Sequence, residues 1–296
     1  MEKVRAIFIW ITDHIKYDCK KFNKMQRKGT RVTFKCKTKE ECDLKKAEFD
    51  NKEINKTLKK GKGVCENYAK LFERMCNIAG INCYYVSGYT KSEAFQIGKM
   101  GYLNHAWNVV VLDGIYYYFD PTWTAGGCTR NEDGELDKFH KKYNDYYWMT
   151  PIDKLSRNHY PKDTTWIKNA VYLKELFKNN PFIDNSIIAK IEILTPKTGV
   201  IEAKLGDTLN FVFRYKNEMD KIQINTNSRR NPSVWYKTKT DYIVNEKVLS
   251  KQQYVDYTRD DDNIRFNYVI KEKPISYLEI LFDYRLVIKY KIKISN

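Results

Sequence analysis

The sequence predicts an α+β domain followed by an all-β domain. Two stripes of apolar residues at helical spacing occur before residue 80, which indicates amphipathic helices. The dipeptide Asp113-Gly114 separates two strand-like runs and predicts a tight hairpin. After about residue 183 the chain shows short strand-like runs between turns and no long helical stripe. We therefore predict a first domain over residues 1–183 and a second over residues 184–296.

The composition provides enough apolar residues for a core and an excess of positive charge. The 296 residues are 42% hydrophobic and 15% aromatic, and the formal net charge is +16. This length suits one large domain or two ordinary ones. The charge favours anionic partners such as an acidic protein or an anionic polymer, but no recognisable nucleic-acid motif accompanies it, so a solvated lysine-rich surface is the simpler interpretation. No apolar run reaches the roughly 20 residues of a membrane span.

The first domain opens with a predicted helix over residues 3–16. Residues 18–60 are rich in lysine and poorly patterned apart from a predicted helix near 39–59, and we interpret them as an insertion that covers or shapes a cleft. A further apolar stripe predicts a helix over residues 65–79, which Gly80 ends.

The rest of the first domain is predicted to contain mainly strands. Strand patterns cover residues 82–89, 105–112 and 115–120. Residues 125–145 are predicted as a loop, and a short helix is expected near 165–178. The first domain is therefore expected to mix helices with one small sheet.

The second domain is predicted to be an immunoglobulin-like β-sandwich, because short strands recur along it between turns. The strand-like runs are Ile188–Ile193, Thr208–Tyr215, Ile222–Asn225, Tyr242–Val248, Ile264–Ile270, Leu278–Phe282 and Leu286–Ile294.

The cysteines and histidines predict no metal or cofactor. The chain has no CxxC pair, and its four histidines do not cluster at metal-ligand spacing. Besides Cys65, six cysteines are open to interpretation as thiols or as disulfides. Cys36 and Cys42, which lie in a polar loop, are the best disulfide candidate, whereas Cys76 lies in an apolar helical pattern and is expected to be a core thiol.

The N-terminal residues do not predict a signal peptide, because Arg5, Asp13 and His14 interrupt their apolar character. Localisation stays open between a cytoplasmic protein and a secreted or periplasmic one whose leader has been removed.

Three residue types that support nucleophilic catalysis occur in order along the first domain. Cys65 begins a predicted helix after a glycine-containing run, and the unpaired N–H groups of a helix start favour a thiolate and can hold an oxyanion. His105 opens a strand, and Asp120 closes the next one. Each residue alone is more often structural. Together they make up a Cys-His-Asp site in which Cys65 attacks, His105 moves the proton and Asp120 orients the imidazole.

The predicted hairpin gives a separate reason to expect His105 and Asp120 to meet. A two-residue turn at Asp113-Gly114 places Trp107 opposite Asp120. Side chains alternate between faces along a strand, so His105 shares a face with Trp107 and therefore with Asp120. A shift of one residue in register would move Asp120 to the other face.

Several separated blocks of the chain resemble the transglutaminase-like superfamily, in particular its bacterial and kyphoscoliosis-peptidase-like branch. The blocks are KVRAIFIWITDHIKYD (3–18), GVCENYA (63–69), residues 80–89 with their VSGY ending, HAWN (105–108), DPTW (120–123) and residues 148–166 with their HYPKDTTW ending. The resemblance covers about residues 3–180 and implies a papain/transglutaminase-like core ahead of the β-sandwich. It also implies Cys65 as nucleophile, His105 as general base and acid, and Asp120 as orienting carboxylate. Asn67 stands where the family commonly has glycine, and we expect this difference to change packing rather than chemistry.

The predicted function is cysteine-dependent acyl transfer on peptide or protein amide bonds through a thioester, with a protease or amidase favoured over a transglutaminase. Some animal members of the family use calcium, but no acidic loop here suggests such a site. Two other classes remain as alternatives: a non-catalytic binding or scaffold module that keeps the fold, and a polyanion-binding surface protein. The acceptor and donor of the acyl group lie beyond the sequence.

Overall fold

A computed structural model describes residues 1–29, 32–237, 241–273 and 275–295. The chain divides into two compact units. The first comprises Met1–Thr90 with Tyr102–Ala170, and the second comprises Lys91–Gly101 with Val171–Asn296. The domain limits given above remain predictions. Among the described residues, none of the helices combines the length and the apolar character needed to cross a membrane.

The first unit contains helices, a four-stranded antiparallel sheet and two two-stranded sheets. Its helices are α1 (Glu2–His14), α2 (Cys19–Lys28), α3 (Lys39–Lys60), α4 (Cys65–Ile78), α5 (Pro121–Ala125) and α6 (Ile152–Leu155). Its strands are β1 (Lys16–Tyr17), β2 (Lys62–Gly63), β3 (Asn82–Thr90), β4 (His105–Leu112), β5 (Ile115–Phe119), β6 (Gly126–Arg130), β7 (Leu136–Lys141) and β8 (His159–Pro161).

The four-stranded sheet of the first unit has the order β5-β4-β3-β8, and all its pairs are antiparallel. Helix α4 packs on it, and the Asn108 side chain of β4 donates to the Ala69 carbonyl of α4 at 2.9 Å. Phe8, Phe72 and Phe119 meet in the core with ring centroids 5.6 to 5.9 Å apart. Burying each of these side chains contributes about 1.5–3 kcal/mol. The aromatic contact therefore ties α1, α4 and β5 together.

Two predictions for the first unit were wrong. Residues 125–145 are not a loop, because β6 and β7 pair there as an antiparallel hairpin. Both strands are largely exposed, so they lack the apolar alternation that reveals a half-buried strand. Helix α2 was also missed within the lysine-rich segment, where Asp18 caps it by accepting from the Lys21 amide and Cys19 is its buried residue.

The cysteine predictions for this unit are confirmed. Cys36 and Cys42 form a disulfide. Cys76 is fully buried in the core cluster of the first unit.

The second unit consists mainly of strands. They are β9 (Phe182–Ile183), β10 (Ile191–Thr195), β11 (Val200–Ala203), β12 (Thr208–Tyr215), β13 (Ile222–Thr226), β14 (Trp235–Lys237), β15 (Tyr242–Val244), β16 (Tyr257–Asp260), β17 (Asn263–Val269), β18 (Tyr277–Phe282) and β19 (Arg285–Ile294). Its helices are α7 (Ala170–Asn179) and α8 (Glu246–Leu249).

Two sheets of the second unit share one apolar core. One sheet has the order β10-β12-β17-β16, and the other has the order β11-β19-β18-β13 with β9 also on β19. The strand predicted over Thr208–Tyr215 is confirmed as β12, and its alternate residues Phe211 and Phe213 are buried. The Phe211 ring meets Tyr290 of the other sheet at 5.5 Å. The immunoglobulin-like topology remains a prediction.

The strand predicted over Tyr242–Val248 was too long. The strand ends at Val244, and helix α8 follows it. Asn245 causes the change, because its side chain accepts a hydrogen bond from the Val248 amide and caps the helix.

Candidate active site

Cys65 is the first residue of α4, as the sequence predicted. Asn67 holds this helix start, because its side-chain oxygen accepts from the Val64 amide at 3.0 Å. Gly63 allows this contact: a Cβ atom at position 63 would lie 2.5 Å from the Asn67 Cβ. Cys65 is half-buried, and its thiol lies close enough to the His105 side chain to raise the pKa of that imidazole. The sulfur therefore lies at a helix N-terminus and against an imidazole.

The register predicted for the β4-β5 hairpin is confirmed. Leu112 pairs with Ile115, and Asn108 pairs with Phe119 at the other end of the ladder. Asp113 and Gly114 have φ values of 51° and 75°, the left-handed conformation that a tight hairpin turn needs.

His105 and Asp120 meet at the end of this hairpin. The Nε2 atom of His105 lies 2.7 Å from the Oδ2 atom of Asp120. The second carboxylate oxygen, Oδ1, accepts from the backbone amides of Thr122 and Trp123 at 2.8 and 3.1 Å. Asp120 thus caps α5 with one oxygen and orients His105 with the other. Since Nε2 faces Asp120, Nδ1 is the ring nitrogen left to face Cys65.

The pair is buried and charged. Burial by itself lowers the pKa of His105, but the charge and hydrogen bond of Asp120, followed by the contact with Cys65, raise that pKa to about 10. Burial opposes ionisation of Asp120, yet the charge and hydrogen bond of His105, followed by those of His159, hold the pKa of Asp120 well below its usual range. At neutral pH the two side chains form an imidazolium–carboxylate pair.

His159 is a member of this site that the sequence did not single out. Its Nε2 atom lies 3.1 Å from Asp120 Oδ2, and its Nδ1 atom lies 2.7 Å from the side-chain amide of Asn158. It reaches the site because β8 pairs with β3, with His159 opposite Thr90. The sequence contained one signal for this residue, because His159 is the first residue of the HYPKDTTW block that resembles the family.

His159 is neutral at physiological pH. Burial lowers its pKa to about 4, although the hydrogen bond and charge of Asp120 oppose this effect. Nδ1 faces Asn158 Oδ1 and Nε2 faces Asp120 Oδ2, so both ring nitrogens lie against acceptors and a neutral ring donates to one of them. Because an ionised carboxylate is a stronger acceptor than an amide oxygen, we assign the proton to Nε2, which donates to Asp120. Asp120 therefore receives one hydrogen bond from a charged imidazole and one from a neutral imidazole.

Aromatic side chains shield the three groups from water. The Trp123 ring lies 5.1 Å from that of His105 and 4.7 Å from that of His159. The Trp107 ring lies 5.0 Å from the His159 ring. In such surroundings the charge of Asp120 acts strongly on His105, because little solvent screens it.

Comparisons with known proteins assign part of the chain to a family. Residues 23–121 match the model of the transglutaminase-like superfamily. The chain belongs to the transglutaminase-like superfamily. The matched segment contains Cys65, His105 and Asp120 and ends before His159.

Two curated relatives of this transglutaminase-like chain are named kyphoscoliosis peptidase. The Homo sapiens protein is 33% identical over 211 residues, which are 70% of this chain and 28% of the relative. The Mus musculus protein is 29% identical over 247 residues, which are 78% of this chain and 33% of the relative. The chain thus spans about a third of the length of these relatives. A crystal structure of a TGase is 19% identical, covers 50% of this chain and 31% of its own, and has a TM-score of 0.30.

At Asn67, where we expected an effect on packing, the structure shows a second contact. Besides capping α4, the Asn67 side-chain oxygen accepts from Lys21 Nζ at 2.9 Å. Lys21 belongs to α2 and also pairs with Glu53 of α3 at 2.8 Å. Asn67 therefore links the helix that carries Cys65 to the lysine-rich segment.

His105, Asp120 and His159 also resemble a metal-ligand set, since their ligand atoms lie within 4.8 Å of one another. Within the described chain, however, Asp120 Oδ2 already accepts from both imidazoles, and all three side chains are buried. We assign the group to hydrogen bonding in the transglutaminase-like domain, because these contacts satisfy the polar atoms that a metal would need.

Proposed function

We propose that this chain is a cysteine-dependent acyl-transfer enzyme acting on peptide or protein amide bonds. The observation that carries the proposal is the buried His105–Asp120 pair, with the Cys65 thiol close enough to the same imidazole to raise its pKa. Nucleophile, proton-transfer group and orienting carboxylate are the parts that such chemistry requires. Membership of the transglutaminase-like superfamily supports the same roles.

The proposed reaction has two halves. The Cys65 thiolate, paired with protonated His105, attacks the carbonyl carbon of an amide, and backbone N–H groups at the start of α4 can stabilise the oxyanion. The C–N bond then breaks, His105 gives its proton to the leaving amine, and a thioester remains on Cys65. In the second half His105 takes a proton from water, the hydroxide oxygen attacks the thioester carbon, the C–S bond breaks, and Cys65 leaves as the thiolate beside the protonated His105. Asp120 keeps the imidazole oriented and offsets its charge throughout.

We propose water as the acceptor, so that the enzyme is a peptidase or amidase. The name of the two curated relatives supports this choice, although it belongs to longer proteins of which this chain spans about a third. An amine acceptor would instead make the enzyme a transglutaminase, and the same three residues would serve it.

We further propose that residues 184–296 form an immunoglobulin-like accessory domain that docks or presents substrate. Support comes from the two sheets with one shared core. The alternatives of a scaffold module and a polyanion-binding protein remain, the latter because of the net charge of +16.

Thioester trapping tests the proposal. The full chain is incubated with a mixed peptide pool, quenched in acid and analysed by mass spectrometry for an acyl adduct on the peptide that contains Cys65. We expect the adduct and cleaved peptides in the wild type, neither with Cys65→Ala, and both with the exposed-histidine control His140→Gln. Incorporation of a biotinylated primary amine into the pool would identify a transglutaminase.

Thioester trapping, together with a heparin-binding assay, separates the alternative functions. Neither adduct nor product from folded wild-type protein would favour the scaffold module. Heparin retention that survives Cys65→Ala and falls steeply with salt would favour the polyanion-binding protein.

A further inference from the structure

Two cysteines outside the proposed chemistry lie with their sulfur atoms almost in contact. Cys19 Sγ and Cys128 Sγ are 2.9 Å apart, although the residues are 109 positions apart in the chain. Cys19 is the first residue of α2, and Cys128 lies in β6. A disulfide has sulfur atoms about 2.05 Å apart, so a movement of about 1 Å would close the bond. We propose that Cys19 and Cys128 are a disulfide-forming pair that covalently joins α2 to the β6-β7 hairpin on oxidation.

The two segments already hold each other without the bond. The Asn23 side chain of α2 donates to the Leu136 carbonyl at 2.8 Å and accepts from the Leu136 amide at 3.1 Å. Leu136 begins β7, which pairs with β6. These hydrogen bonds hold α2 against the hairpin, so the two thiols are kept adjacent in the reduced protein.

The pair is accessible from one side. Cys128 is half-buried, whereas Cys19 is 6% exposed, so an oxidant reaches Cys128 first. Burial, followed by the hydrogen bond with Cys19, raises the pKa of the Cys128 thiol. Since the thiolate is the attacking form, oxidation should become faster as the pH rises.

The oxidant we propose is a low-molecular-weight disulfide. The Cys128 thiolate attacks one sulfur of that disulfide, its S–S bond breaks, and one small thiol leaves. The Cys19 thiolate then attacks Cys128 Sγ and displaces the second small thiol. Two cysteine thiols are oxidised to one disulfide, and the two electrons and two protons pass to the two small thiols.

The bond would form close in the fold to the strand that leads to Cys65. Tyr17, two residues before Cys19, pairs with Gly63, two residues before Cys65. The Asp18 amide also donates to the Gly63 carbonyl at 2.9 Å, two residues before Cys65. The disulfide would fix the α2 segment that supports Cys65 to the hairpin that follows Asp120. This proposal does not depend on the catalytic roles given above.

Another cysteine pair provides an internal reference. Cys76 and Cys83 both belong to the core cluster of the first unit, where they are 0% and 2% exposed. The same oxidant should leave them as thiols in the folded protein, because it cannot reach either sulfur.

Disulfide mapping tests the proposal. The reduced full chain is treated with oxidised glutathione under native conditions, quenched with iodoacetamide in denaturant and digested for mass spectrometry. We expect a crosslinked Cys19–Cys128 peptide pair, with Cys76 and Cys83 recovered alkylated. Cys19→Ser and Cys128→Ser should each abolish the crosslink, and Cys19→Ser should leave glutathione on Cys128.

Thermal unfolding gives a second measurement. Closing a loop of this length should raise the Tm of the wild type by at least about 5 °C, and the shift should be absent in both serine variants. Recovery of alkylated Cys19 and Cys128 from oxidised wild-type protein would overturn the proposal. Crosslinks of either residue to Cys65, or equal oxidation of the Cys76–Cys83 pair, would also overturn it.

Discussion

The Nε2 atom of His159 lies 3.1 Å from Asp120 Oδ2, the oxygen that also accepts from His105. The His159 ring is neutral and buried, so it supports the carboxylate without competing with His105 for its charge. Asp120 accepts two further hydrogen bonds at the start of α5. His159 is therefore a positioning residue for the carboxylate that orients His105.

Removal of the His159 donor should destabilise the fold. In His159→Leu, Asp120 loses one hydrogen bond in a buried place, and we expect the free energy of unfolding to fall by about 1.5–3 kcal/mol. His159→Gln keeps an N–H donor of similar reach, so the decrease in its free energy of unfolding should be clearly smaller. Urea denaturation at neutral pH measures both. Equal losses in the two variants would mean that packing, and not the hydrogen bond to Asp120, explains the role of His159.

The two histidines should give the stability of the protein a maximum near pH 6.5. The folded pKa of His159, about 4, lies below the unfolded value of 6.5, so its contribution is complete above pH 6.5 and lost as the pH falls towards 4. The folded pKa of His105, about 10, lies above 6.5, so its contribution is complete below pH 6.5 and lost as the pH rises through 10. Each slope is at most about 1.4 kcal/mol per pH unit.

Urea denaturation between about pH 4.5 and about pH 9.5 measures this profile. In His159→Gln the free energy of unfolding should depend less on pH below the maximum and be unchanged in its pH dependence above it. In Asp120→Asn the pH dependence above the maximum should be weaker, because burial then acts on His105 without an opposing charge. Unchanged slopes in both variants would contradict the assignment of these two protons.

The hairpin part of the site was predictable because local geometry decides it. A two-residue Asp113-Gly114 turn fixes the register of β4 and β5, and alternation then places His105 and Asp120 on one face. The start of α4 at Cys65 followed from apolar periodicity in the same way.

The position of His159 was not predictable by the same reasoning. Strand β8 has three residues, too few to show a period, and its partner β3 lies about 70 positions earlier. Contacts over such separations depend on how the whole sheet assembles. The Cys19–Cys128 contact escaped prediction for the same reason, since β6 carries no apolar alternation.

Cys65 should react with iodoacetamide faster than the other cysteines at neutral pH. Its sulfur is half-buried rather than enclosed, and it contacts an imidazole that is protonated at that pH. We expect His105→Gln to slow the labelling by roughly tenfold, with rates read from the alkylated Cys65 peptide by mass spectrometry. His140→Gln, which changes an exposed histidine in β7, should leave the rate unchanged. Similar rates in the wild type and His105→Gln would contradict a functional contact between Cys65 and His105.

Gly88 should be essential for the sheet that supports the site. A Cβ atom at position 88 would collide with the Trp107 ring and with the Tyr160 carbonyl on the neighbouring strands β4 and β8. Neither group can move freely, because Trp107 is buried and Tyr160 is paired with Tyr89. We therefore expect Gly88→Ala to lower the free energy of unfolding by about 2–4 kcal/mol.

Gly127→Ala is the matched control for this prediction. A Cβ atom at Gly127 would meet nothing within 4 Å among the described residues, and Gly127 is not among the residues with positive φ. Its free energy of unfolding should change by no more than about 0.5 kcal/mol in the same urea titration. A loss in Gly88→Ala no larger than that in Gly127→Ala would show that β3 can shift away from Trp107. In that case the close packing of β3 on β4 and β8 would not be what holds His105 and His159 on either side of Asp120.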